Sequence, residues 1–168
     1  MKKIKITLFL LALLTLLIFS VINKMTVSPG TSSGNGNPAL LIAFILIPIF
    51  FIMVVLWVSI FKAYAIRRKI LISFIVLTAT HVVVAFIYQR KELEEYREVI
   101  KNALIKKNGF VNLQYVHDIT SGITIHVNNQ YFNLSTFFLF LTSTIFVASI
   151  YQLSILLEKN NEFEKTSK

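Results

Sequence analysis

The chain has no cysteine, which removes disulfide stapling, thiolate metal sites and cysteine nucleophiles at once. Glycine is scarce: the five residues Gly30, Gly34, Gly36, Gly109 and Gly122 all fall in stretches that read as loops. No G-x-S-x-G elbow, H-E-x-x-H zinc helix or G-x-x-x-x-G-K-[ST] phosphate loop is present. With three histidines and no thiolate, a zinc site would have to recruit distant carboxylates. Formal charge is missing from four long stretches, residues 6–22, 39–61, 70–88 and 134–157, which hold no Asp, Glu, Lys or Arg. All eight acids lie outside them, and Glu92, Glu94, Glu95 and Glu98 share one polar helix face, which supplies none of the dry, shaped pocket that splits carboxylate pKa values. No catalytic residue, cofactor or metal is therefore assigned, and a non-enzymatic role is expected.

What is abundant is apolar surface. At 55% hydrophobic over 168 residues, the chain is too greasy for one soluble domain and long enough for several membrane crossings. Helical rise is about 1.5 Å per residue, so even the shortest uncharged stretch covers roughly 25 Å, close to a hydrocarbon core of about 30 Å. The expected fold is an all-α integral membrane protein with four transmembrane helices. Its parts are a cytoplasmic tail with the first helix (1–22), a flexible external loop (23–38), the second helix (39–61), a basic loop (62–69), the third helix (70–88), an external insert (89–133), the fourth helix (134–157) and a short tail (158–168). The opening MKKIKITLFLLALL also fits a secretory signal, but its apolar run is long and no A-x-A-like cleavage site follows, so retention is expected.

The net charge of +9 sits at membrane boundaries, which argues for topology and against a nucleic-acid partner. Lys2, Lys3 and Lys5 precede the first span, and Lys62, Arg67, Arg68 and Lys69 crowd the link between the second and third; Lys24 stands alone in the first loop. By the positive-inside rule both termini are cytoplasmic and the two long polar loops external. The frequent Lys, Ile, Phe and Asn point to an AT-rich genome and a bacterial cytoplasmic membrane.

Pro48 removes one helical hydrogen bond and favours a kink in the second span, while Trp57 and Tyr64 suit the boundary as anchors. The loop at 23–38 is rich in Gly, Ser, Asn and Pro and reads as a link. Beyond residue 88, Leu93, Tyr96, Ile100, Ala103 and Leu104 recur at helical spacing, with Asn108 and Gly109 as a stop; this predicts a helix continuing outward from the third span. Val111, Leu113 and Tyr115 then alternate, as do Ile123, Ile125 and Val127, on either side of a Ser-Gly turn signal. That pattern predicts a β-hairpin closed at Thr120-Ser121-Gly122, with Tyr115 facing Val127 and with His117 and His126 on opposite sheet faces. The insert is thus expected to be a small α+β element, and a lone hairpin needs cover. Leu113, Tyr115, Ile125 and Val127 are the candidate contacts to a partner, or else the insert's own core.

Within the membrane, Ser135, Thr142 and Ser149 are spaced by seven on the fourth span, and Thr142, Ile145, Ser149 and Gln152 follow three- and four-residue steps, a polar stripe expected to avoid lipid. Ser73, Thr80 and His81 on the third span are the candidates to meet it through interhelical hydrogen bonds. His81 then serves as a neutral packing residue, against a ligand, proton-linked or catalytic role. The leading functional expectation is an accessory, sensor or assembly subunit with a membrane or envelope protein partner, or a second copy of itself. A small transporter or pore-forming oligomer is the alternative, and an intramembrane hydrolase using His81 with Ser143 or Ser149 comes behind it, lacking a glycine-supported oxyanion site.

Overall fold

Long uncharged runs must satisfy their backbone polar groups internally in lipid, which leaves the helix as their solution. The computed structural model describes the backbone of residues 1–31 and 36–166, and the side chains of all these except 161 and 163–166. The helices are α1 (Lys2–Lys24), α2 (Ala39–Ala43), α3 (Leu46–Ala63), α4 (Arg68–Asn108), α5 (Leu113–Thr120), α6 (Asn128–Tyr131) and α7 (Leu134–Thr166). Four segments are long and apolar enough to cross a membrane: Lys2–Lys24, Ala39–Ala63, Arg68–Asn108 and Leu134–Asn160.

Burial is inverted relative to a soluble bundle. Thr15, Thr78, Thr144, Ser149 and Gln152 are buried, while Phe9, Leu17, Leu41, Phe51, Leu77 and Ile87 are exposed. In water that pattern would be ruinous, but lipid tails are as apolar as leucine, so outward Leu and Phe lose nothing. The chain is a multi-pass helical membrane protein.

Helix α7 is the hub, packing on α1, α3 and α4, with its broadest contact on α4. Rings join the elements at one level: Phe19 of α1 meets Phe132, Phe137 and Phe140 edge-on at 5.4, 6.0 and 6.0 Å, and Phe140 meets Phe50 of α3 at 5.6 Å. Toward the other end, Val54, Val58 and Phe61 of α3 pack with Leu71 of α4 and Ala148 of α7. The second span is interrupted at Phe44–Ile45, one turn before Pro48, where the N–H of Ile47 donates to the nearer Phe44 carbonyl at 3.2 Å. The ring of Pro48 offers no N–H to the carbonyl four residues back, and the preceding turn tightens in response.

The bundle has two unlike ends. At the basic end the ammonium of Lys5 lies 4.8 Å from the centre of the Tyr64 ring, which sets the N-terminus beside the α3–α4 turn. Ile66 and, from α7, Leu153 and Leu156 pack against the same buried cluster of Val54, Val58 and Phe61. At the opposite end α4 runs on as one helix of 41 residues, about 60 Å, so that it stands roughly 30 Å clear of Tyr88. It stops at Gly109, whose left-handed backbone (φ 77°) turns the N–H toward the Ile105 carbonyl at 2.8 Å.

The expected β-hairpin is absent, and no β-strand occurs among the described residues, so the insert is all-helical rather than α+β. Its supposed first strand is α5. The Asn112 side chain caps it by accepting the Tyr115 N–H at 3.2 Å. Alternation at 111, 113 and 115 coexists with a helical spacing of Tyr115, Val116, Ile119 and Thr120, and only the latter buries a continuous face. Val116 packs on Ile100 and Leu104 of α4, flanked by Tyr96, Tyr115 and Ile119. A stalk already exposing a helical stripe supplies the cover that an isolated hairpin lacks, and tertiary packing overrides the β-propensity of Val and Ile. Ile123 to Val127 follow as turns leading into α6, so the proposed Tyr115–Val127 register does not exist.

Candidate functional site

The polar stripe of the bundle lies mostly inside. On α7 Ser149 and Gln152 are buried, and Ser135 and Thr142 are half-buried. Their facing residues on α4 are less uniform: Ser73 and Thr80 are exposed and His81 is half-buried, while Thr78, which the spacing did not single out, is buried. The hydroxyls are satisfied within their own helices. Ser73 donates to the Lys69 carbonyl at 3.1 Å, Thr80 to Val76 at 2.9 Å, Thr142 to Phe138 at 2.7 Å and Ser149 to Ile145 at 2.8 Å. Buried Thr15, Thr78 and Thr144 likewise donate to Leu11, Phe74 and Leu141 at 2.8, 2.6 and 2.6 Å. Side-chain hydroxyls thus seal themselves against the low-dielectric interior without an interhelical partner. Three enclosed atoms of the bundle differ: Trp57 Nε1, His81 Nδ1 and Gln152 Oε1 have no hydrogen-bond partner among the described residues.

The cap beyond residue 88 is built the opposite way, with polar groups bonding between elements. The amides of Asn37 and Asn128 exchange hydrogen bonds, Nδ2 to Oδ1 at 2.7 Å one way and 3.2 Å the other, and Asn37 Nδ2 also reaches the Ile123 carbonyl at 3.0 Å. Asn23 donates to the Phe132 carbonyl at 2.8 Å, and the Asn129 N–H donates to Thr26 Oγ1 at 2.7 Å. The N–H of Val27 meets the Ile125 carbonyl at 3.2 Å. Higher up, Gly30 is buried against Ala103, Lys107 donates to its carbonyl at 3.0 Å, and Arg97 Nε donates to Thr120 Oγ1 at 2.9 Å. The first loop, read from composition as a link, is therefore tied to the stalk at Gly30 and to the segment around α6 at Asn37, on either side of residues 32–35, which lie outside the described residues.

Asn133 opens α7 by a reciprocal cap: its Oδ1 accepts the Thr136 N–H at 3.0 Å and its own N–H donates to Thr136 Oγ1 at 2.9 Å.

Of the four candidate partner contacts, Val127 is fully buried, Tyr115 and Ile125 are half-buried, and Leu113 is 63% exposed. Phe110, which the residue pattern did not single out, is 72% exposed just after the Gly109 stop of α4. A cleft of about 390 Å³ opens on the flank, lined in part by Asn37, Tyr115, Asp118, Ile119, Ile123 and His126. At its mouth Asp118 Oδ1 accepts from Gln114 Nε2 at 2.8 Å and lies 3.8 Å from His117 Nδ1. His117 is exposed on α5 and His126 is buried, so the sheet-face reason for separating them falls with the hairpin. Among the described residues no three His, Asp or Glu side chains gather as a metal ion would require.

Comparison of the chain with family models, with curated proteins and with solved structures finds no match.

Proposed function

We propose that the protein is a non-enzymatic membrane accessory or assembly subunit: the four-span bundle is the anchor and the cap is a recognition head on the extracytoplasmic side. The observation that carries this reading is the pair Phe110 and Leu113, 72% and 63% exposed at the cap's tip. Phe110 lies 22 residues past Tyr88, about 30 Å along the helix, beyond reach of the bilayer's hydrocarbon. Large apolar side chains held there face water unless another protein covers them. The orientation rests on the lysines and arginines at the opposite end, which belong on the cytoplasmic side. The partner is a membrane or envelope protein, or a second copy.

A photoreactive side chain at Phe110 or Leu113 in cells tests the reading. A discrete protein adduct is expected there and not at lipid-facing Val84; Phe110→Ser with Leu113→Ser should abolish association while leaving the purified fold intact. Adducts no different from those at Val84 contradict it. A second reading, a small transporter or pore-forming oligomer, is favoured by one observation, the partnerless His81 Nδ1 and Gln152 Oε1 inside the bundle. Flux in reconstituted vesicles that is lost in His81→Asn, with assembly preserved, would promote it over the first.

A further inference from the structure

The two ends of the molecule neutralise their charge differently. On the cap, Lys91 pairs with Glu95 at 3.5 Å and Lys101 with Glu98 at 3.0 Å. At the basic end, none of the lysines and arginines at positions 2–5 and 62–69 has a carboxylate within ion-pair distance among the described residues. Lys5 has only the face of Tyr64. Cations concentrated at a membrane boundary with no ion pair among the described residues attract an external anion.

Next to them is a place for one to be anchored. A groove of about 390 Å³ runs between α3 and α7, lined by Val54, Val55, Val58, Val147, Tyr151 and Lys62, with Ser59 beside them. From Val54 to Lys62 it follows nine residues of α3, a rise of about 12 Å, which fits within one leaflet of a hydrocarbon core about 30 Å thick. Its floor is valine, its side is open through exposed Val55, and its only formal charge is Lys62 at the end nearest the basic cluster. Ser59 spends its hydroxyl proton on the Val55 carbonyl at 2.9 Å, so the wall presents little competing polarity.

We propose that this groove seats one acyl chain of an anionic phospholipid from the adjoining leaflet, with Lys62 and the neighbouring basic turn holding its phosphate. Charge selects this occupant. A second copy of the chain would bring the same cations to the same level and be repelled, whereas an anionic lipid supplies a countercharge and the apolar tail together.

Trp57, the chain's one tryptophan, lies on α3 immediately before groove residue Val58 and serves as the reporter. The full chain is reconstituted into phosphatidylcholine vesicles containing brominated-acyl phosphatidylglycerol or, in parallel, brominated-acyl phosphatidylcholine, and quenching of Trp57 is compared. Wild type is expected to favour the anionic lipid by about fivefold for each cation engaged. The preference should fall toward equality in Lys62→Gln and in Val147→Phe, which fills the groove without altering charge, and should persist in Lys62→Arg. Circular dichroism and gel filtration establish that each variant is folded. Equal quenching by the two lipids in wild type overturns the proposal. So does a preference that survives in either folded variant, because binding would then belong to the diffuse basic surface and not to the groove.

Discussion

The bundle and the cap come from one chain but satisfy their polar groups by opposite rules. In the bundle, buried hydroxyls donate to carbonyls of their own helix, and neighbouring helices meet through rings and methyl groups. In the cap, side chains bond across long sequence separations, Asn37 to Asn128, Asn23 to Phe132 and Arg97 to Thr120. The solvent accounts for the difference. A lipid interior offers no partner to an unpaired group, so each helix must be closed on itself before it packs; at a water boundary, loops without enough apolar surface gain order from specific polar ties. Stability of the bundle therefore rests on shape, and stability of the cap on a few amides.

That contrast fixes an order of mutational effects. Phe19→Ala removes three ring pairs and should cost roughly 1.5–4.5 kcal/mol at about 0.5–1.5 per pair, read as a lower midpoint for detergent unfolding of the whole bundle. Asn128→Ala removes the two hydrogen bonds exchanged with the Asn37 amide and, at about 0.5–1.5 kcal/mol each, should cost about 1–3 kcal/mol, appearing as protease sensitivity in the first loop while helix content is unchanged. Gly109→Ala must place a Cβ at φ 77° and should cost about 1–2 kcal/mol, loosening the α4–α5 turn in hydrogen exchange. Smallest of all, Ser149→Ala should change unfolding by less than about 1 kcal/mol, because its hydroxyl serves only its own helix. A large loss there would erase the contrast between the two regions.

The spans were legible because lipid imposes a crude requirement, length without charge, that residues 6–22, 39–61, 70–88 and 134–157 meet openly. The stalk was legible too, since Tyr96, Ile100 and Leu104 mark one face and Gly109 ends it. The stretch from 111 to 127 was not. Its β-branched residues satisfy a period of two, and only the waiting stripe on α4 makes the helical alternative bury more. Rotation of each span was equally hidden: with no charge to orient α4, nothing in the sequence distinguishes buried Thr78 from exposed Thr80. The ties that order the first loop escaped notice because they join asparagine and threonine side chains to backbone groups 86–109 residues away.

The absence of native cysteine permits a direct test of the cap as an extracytoplasmic head on a four-span anchor. Single cysteines at exposed Gln114 on α5 and exposed Lys159 on α7 would be treated in intact cells with a membrane-impermeant maleimide. Labelling of Gln114→Cys without permeabilisation, and of Lys159→Cys only after it, is the expected result. The reverse pattern, or labelling of both from outside, would contradict it.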